Sequence, residues 1–140
     1  MDLPDANVLL YAFRADSEHH GACRAWLNAA VLSDASFGVS RPALGAVVRI
    51  ATNRRAFDPP SDLADAFGFC QDILDQPHCR PVEPGERHWD IFRRLCEATA
   101  TTGPWTTDAW FAALAIESGC TWITMDRDFA RFPGLAWRTP

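Results

Sequence analysis

The sequence predicts an α/β fold built on one mainly parallel sheet, and three observations predict it. Short strand-like segments recur along the chain, each separated from the next by helical pattern. The segments between them carry apolar residues at helical spacing on one face. One late helix, "AWFAALAI" from Ala109 to Ile116, is apolar all round and belongs inside the molecule rather than on its surface.

In chain order, the first strand is expected over Met1 to Asp5, followed by the apolar run "ANVLLYAF". Pro4 cannot donate a ladder hydrogen bond, so this strand is expected to be irregular. Cys23, Trp26, Leu27, Ala30 and Val31 form the first core-facing stripe, and Phe37 to Val39 the second strand. Ser40 caps the next helix, with Pro42 in its first turn. After the loop "NRRAFDPPSD", Ser61 is expected to cap a helix whose stripe is Leu63, Phe67, Cys70 and Leu74, and Pro77 follows its end. Cys79 to Val82 is the third strand, and Trp89, Phe92, Leu95 and Cys96 are a further core stripe. The all-apolar helix begins near Thr107, ahead of strands at Thr121 to Met125 and Leu135 to Arg138.

A chain of 140 residues, 48% of them hydrophobic, suits one domain over 1–140 with a single substantial core. No apolar run approaches the roughly 20 residues that span a bilayer, and the start of the chain is acidic where a signal peptide would be basic. A cytoplasmic protein is expected. The five cysteines are odd in number, far apart and free of any C-x-x-C, so neither a disulfide framework nor a zinc knuckle is indicated. All 13 basic residues are arginine. The absence of lysine removes Schiff-base, Walker-type and Ser-Lys chemistry. A net charge of −5 argues against broad adhesion to nucleic acid, though Arg49, Arg54 and Arg55 make a local basic patch.

Ligands of open parallel sheets collect beyond the carboxyl ends of the strands. Asp5 ends the first strand, Asp108 opens the buried helix, and Asp126 and Asp128 follow "TWITM". If the strands of Asp5 and Asp126 are neighbours, these carboxylates meet in one pocket, where each raises the others' pKa unless a cation sits among them. Oxygen-only ligands suit Mg²⁺ or Mn²⁺, and such a site favours phosphodiester hydrolysis. Two of the acids also have a plain structural reading, Asp108 as a first-turn acid on the helix dipole and Asp128 as the cap of a short helix, whereas Asp5 and Asp126, placed directly after buried strands, need compensation. The joint placement favours the site. His19 or His20 with Cys23 has metal-ligand spacing but no matching second pair.

At these residues the chain resembles the PIN-domain ribonucleases, specifically VapC-type toxins of bacterial toxin-antitoxin pairs. The resemblance rests on "DANVLLYAF", "RPALGAVVRIATNRRAF", "TTDAWFAALAIESGC" and "TWITMDRDFARFPGLAW", and extends through nearly the whole chain. It implies a three-layer α/β/α sandwich, Mg²⁺- or Mn²⁺-dependent endoribonuclease activity on structured RNA such as tRNA or rRNA, and a cognate VapB-type antitoxin as partner. By position it implies metal ligation by Asp5, Asp108, Asp126 and Asp128, with Asp5, Asp108 and Asp126 catalytic.

The sequence departs from that pattern at one place. The family's glutamate in the helix after the second strand falls here at Gly45 or Ala46, and no Asp or Glu occurs between Ser40 and Asn53. Two readings follow: a nuclease in which Asp128 is a ligand in its own right, or a PIN fold that binds RNA or antitoxin and cleaves poorly. A receiver- or phosphatase-like domain with Asp5 as nucleophile fits the same layout but lacks the lysine that phosphoryl chemistry needs there. Trp26, Trp89 and Trp105 are more aromatic surface than one small core absorbs, so a homodimer is expected.

Overall fold

Pro4 decides how the sheet is assembled. In the computed structural model, which describes all 140 residues, β1 (Asp2–Pro4) pairs in parallel with β4 (Thr121–Ile123), Asp2 opposite Thr121 and Pro4 opposite Ile123. The Thr121 N–H donates to Met1 O and the Asp5 N–H to Ile123 O, so the backbone groups of Asp2 and Pro4 face away from β4. Pro4 has no N–H to offer on that side. β2 (Phe37–Val39) lies along β1, yet its ladder runs to β3 (Cys79–Pro81), in parallel. β4 pairs in parallel with β5 (Trp137–Arg138). The spatial order is therefore β3, β2, β1, β4, β5, all hydrogen-bonded pairs being parallel. Close approach at the β1–β2 seam needs Gly38: a Cβ there would stand 3.2 Å from Leu3 Cδ1 and 2.9 Å from Val82 Cγ2.

The chain steps outward from β1 to β2 to β3, then crosses back to β4. With right-handed crossovers, reversing direction moves the connecting helices to the other face. α1 (Ala6–Phe13), α2 (His20–Leu32), α3 (Arg41–Ala51) and α4 (Leu63–Leu74) pack as one layer, and α5 (His88–Thr99) packs with α6 (Thr106–Ser118) as the other. The result is the α/β/α sandwich that the resemblance implies.

α6 is the buried helix its sequence demands, with Ala109 and Phe111 through Ala115 in the interior. From it an aromatic chain runs over β4 on the same face of the sheet: Phe111 stacks on Trp122 of β4 at 5.4 Å, Trp122 meets Phe129 at 5.5 Å, and Phe129 meets Phe132 at 5.8 Å. Phe129 lies in a short 3₁₀ helix (Arg127–Arg131), and Phe132 follows it. In such a helix positions i and i+3 share a side. The two phenylalanines thus pin one side of the turn to the core and leave Asp128 and Arg131, also three apart, on another.

Two stripes differ from expectation. On α4 the buried residues are Ala66, Cys70 and Ile73, whereas Leu63 and Phe67 are 59% and 58% exposed. The helix has apolar residues on two sides that share Cys70, and the small Ala66 and Cys70 let α3 approach closely enough for the Cys70 thiol to point at Leu44 O. On α5 His88 and Leu95 are buried while Trp89 is 68% exposed. The cap of α4 also moves by one residue: Asp62 is the N-cap, and Ser61 Oγ instead accepts from Arg14 Nη1 at 3.0 Å. The first stripe is as expected, with Cys23, Trp26 and Leu27 buried, and four of the five free cysteines lie in the interior.

Candidate active site

The reversal of strand order makes β1 and β4 adjacent strands whose following segments depart to opposite faces, α1 to one and the 3₁₀ helix to the other. A crevice at the carboxyl ends of these strands is where ligands of such sheets bind. Asp5 is the first residue past β1, and Asp126 lies three residues past β4.

Asp5 is the N-cap of α1 in extended conformation, but its carboxylate makes no capping bond. Instead Oδ2 accepts from Thr124 Oγ1 at 2.7 Å and from Asn7 Nδ2 at 2.8 Å. Thr124 is fully buried, and its hydroxyl also accepts from Asn7 Nδ2 at 3.1 Å and from the Asp126 N–H at 3.0 Å. Asn7 Oδ1 completes the knot by accepting from the Met125 N–H at 3.2 Å. Asp5, Asn7 and Thr124 thus clamp the end of β1 to the end of β4, with one carboxylate oxygen of Asp5 engaged by two donors. Burial nevertheless raises the Asp5 pKa from 3.8 to about 6, against the lowering effect of those donors, and the charge on Asp108 adds to the rise.

Asp108 sits in the first turn of α6 and accepts from Arg131 Nη2 at 2.9 Å, both side chains being about three-quarters buried. Burial raises its pKa; Arg131 opposes that, and Asp126 and Asp128 reinforce it. Asp126 caps the 3₁₀ helix through Oδ1, which accepts from the Asp128 N–H at 2.8 Å. Asp128 is exposed. Arg131 is held from two further sides, donating from Nη1 to Asp128 O at 3.1 Å and lying over the Phe132 ring at 4.5 Å. Four carboxylates from three distant segments thus share one edge of the sheet, although no three acidic, histidine or cysteine side chains stand close enough as placed to enclose an ion.

Residues 3–135 match the family model of the PIN domain. The chain is 42% identical to "Ribonuclease VapC31" of Mycobacterium tuberculosis over 135 residues, 96% of this chain and 95% of that protein. It is 41% identical over 135 residues to "Ribonuclease VapC25" of the same species. The chain belongs to the VapC branch of the PIN-domain family. Its fold superposes with a TM-score of 0.71 on VapBC2 from Rickettsia felis, crystallised with a DNA fragment from its promoter, at 14% identity over 98% of this chain and 96% of that one.

In this PIN domain the four acids singled out in the sequence fall into two ranks. Asp5, Asp108 and Asp126 are half-buried and tied into hydrogen bonds or an ion pair, whereas Asp128 faces an outer groove shared with Arg131 and Trp105. α3 supplies no acid, and a Cβ built on Gly45 meets nothing within 4 Å. The histidines before Cys23 are structural: His20 Nδ1 bonds Tyr11 O at 2.8 Å and His19 packs on the Tyr11 ring. Arg49, Arg54 and Arg55 are exposed. Sequence reasoning missed Arg131, the cation that Asp108 holds. The i, i+3 pattern of "DFARF", acid with arginine and phenylalanine with phenylalanine, was the available signal.

The donor set fits a hard divalent cation. It is all oxygen, and Asp5 is a half-buried carboxylate without a cationic partner. Ser40, fully buried at the carboxyl end of β2, has a hydroxyl with no hydrogen-bond partner, a further oxygen left free at the same edge of the sheet.

Proposed function

We propose that this PIN domain is the toxin of a toxin-antitoxin pair and acts as a Mg²⁺- or Mn²⁺-dependent endoribonuclease. The observation that carries the reading is Asp5: a carboxylate that burial pushes to about 6, fixed by Thr124 and Asn7 at the β1–β4 crevice beside two further acids, is a site waiting for positive charge. Asp5, Asp108 and Asp126 would hold the ion, with Asp128 at its outer side. A bound divalent cation supplies an activated water and stabilises charge on the phosphorane and the leaving oxygen. The chain's own contribution is geometric. Thr124 and Asn7 occupy Oδ2 of Asp5 and leave the other oxygen for the cation, while Arg131 pairs with Asp108 and offsets part of the rise that burial gives its pKa. The relatives named ribonucleases support the activity, and the likeness to chains of VapBC complexes supports an antitoxin partner.

No helix is long and apolar enough to cross a membrane. The exposed Leu63 and Phe67 on α4 and Trp89 on α5 offer apolar surface to the antitoxin or to a second copy in a homodimer. Brief induction in a bacterial host, followed by mapping of new RNA ends, tests the reading and identifies the RNA. Discrete cut sites that vanish with Asp5→Asn or on co-expression of the adjacent small gene are expected, and an end profile identical to the Asp5→Asn control would overturn it.

A second reading draws on the acid-free α3 and on the spread of the carboxylates: a module that binds RNA or antitoxin and cleaves poorly. Calorimetric titration with Mn²⁺ separates the two. The nuclease binds the ion in a manner that Asp108→Asn abolishes; the module shows no such binding.

A further inference from the structure

Beside the acids, on the outer side of Arg131, lies a groove of about 290 Å³ whose walls include Trp105, Thr99, Thr101, Asp128 and Arg131. Its floor is formed by two chain reversals. At the first, Ala100 ends α5 in the left-handed region at φ 51°, which brings the Thr99 and Thr101 hydroxyls to 2.6 Å of each other. At the second, a 3₁₀ turn (Gly103–Trp105) enters α6, braced by Thr106 Oγ1 donating to Gly103 O at 2.8 Å. Trp105 therefore stands on a fixed base three residues before Asp108. Trp89, Trp110 and Trp122 each pack against a neighbouring ring, but Trp105 has none and is 61% exposed.

Arg131 joins this groove to the crevice, since the guanidinium that lines it also reaches Asp108. We propose that the groove is a nucleotide subsite for single-stranded RNA, in which Trp105 stacks a base next to the scissile position and Arg131 binds that nucleotide's phosphate. The chemistry of the walls fits this occupant. An unpartnered indole face stacks any base, a guanidinium pairs with a phosphate, and hydroxyls can bond a ribose 2′-OH. Because one arginine serves both places, a phosphate held at Arg131 lies next to the Asp108 carboxylate, and the stacked base sets the register of the strand across the acids. The subsite rests on the ribonuclease reading for its role in cleavage, but its binding can be measured without cleavage.

The experiment uses the full chain with Asp5→Asn, so that RNA is not consumed, and a fluorescein-labelled single-stranded RNA of mixed sequence read by anisotropy. Adding Trp105→Ala should weaken binding about 5- to 150-fold, the range for loss of one stacked base. Trp105→Phe should restore most of it, and Leu32→Ala, an exposed apolar residue outside the groove, should change nothing. Arg131→Gln should weaken binding and flatten its salt dependence. In the parent, RNA should quench a part of the tryptophan emission that the Trp105→Phe protein lacks. Unchanged affinity in Trp105→Ala, with the fold intact by circular dichroism, would overturn the subsite even where the wild type cleaves RNA; so would a Trp105→Ala protein that loses only its antitoxin. A Trp105-dependent affinity in a protein whose wild type cleaves nothing would uphold the subsite and defeat the nuclease reading.

Discussion

Replacing Asp5 by Asn should make the metal-free protein more stable at neutral pH. The Asp5 pKa is 3.8 in an unfolded chain and about 6 in the folded one. An upward displacement of that size costs the ionised form about 3 kcal/mol. The sign follows from proton counting. Below pH 4 both states are protonated and nothing is lost; between about 4 and 6 only the folded state holds the proton; above 6 both are ionised, and the folded protein bears the whole penalty. Asn keeps an oxygen in the place of Oδ2, where Thr124 and Asn7 donate, and carries no charge to desolvate. Urea unfolding in EDTA at pH 4.5, 5.5, 6.5 and 7.5 should therefore show the wild type losing stability relative to Asp5→Asn as pH rises, by up to about 3 kcal/mol at pH 7.5. Saturating Mn²⁺ should reverse the order at pH 7.5, since ion binding to the folded state adds stability only where the carboxylate is present. Parallel pH profiles for the two proteins, or a wild type more stable than Asp5→Asn at pH 7.5 in EDTA, would refute the claim that Asp5 is an uncompensated charge.

Other substitutions test the frame around the site. Ala100→Gly relieves a left-handed residue at the end of α5 and should stabilise the protein by about 1 kcal/mol in the same unfolding assay. Gly45→Ala, in the middle of α3 with open space around its Cβ, should add about 1 kcal/mol of helix propensity. Asp126→Ala removes the cap of the 3₁₀ helix and should cost about 1 kcal/mol in addition to activity, whereas the exposed Asp128→Ala should alter stability by less than about 0.5 kcal/mol, so that any activity it loses reports on ligation or binding. Phe129→Ala should cost about 3 to 5 kcal/mol, measured by the unfolding midpoint, because it breaks the aromatic chain that pins the turn bearing Asp126 and Arg131.

What could be read from the chain follows from which forces act locally. The strands were legible because β-branched and apolar runs alternate with helical stripes, and α6 was legible because no face of it suits water. The adjacency of Asp5 and Asp126 was legible only as a condition, since parallel pairing between residues 2 and 121 leaves no local trace. The inward face of α4 was misread: Leu63 and Phe67 are larger and more apolar than Ala66, and periodicity weighs size where close helix packing on α3 selects smallness. Trp89 was misread for a different reason: the buried position beside it is His88, which bonds Trp110 O and packs on the Trp110 ring, and apolar periodicity does not mark a buried histidine. The acids were found by their places at element ends, whereas the hydrogen bond from Thr124 to Asp5 across 119 positions and the pairing of Arg131 with Asp108 across 23 required coordinates.

Cleavage of RNA by the purified protein tests the central claim most directly. With Mg²⁺ or Mn²⁺ the wild type should cut total bacterial RNA at discrete positions, and EDTA, Asp5→Asn or Asp108→Asn should each abolish the cuts. Equal cleavage in EDTA, or by the Asp5→Asn protein, would contradict a mechanism in which these carboxylates hold the catalytic ion.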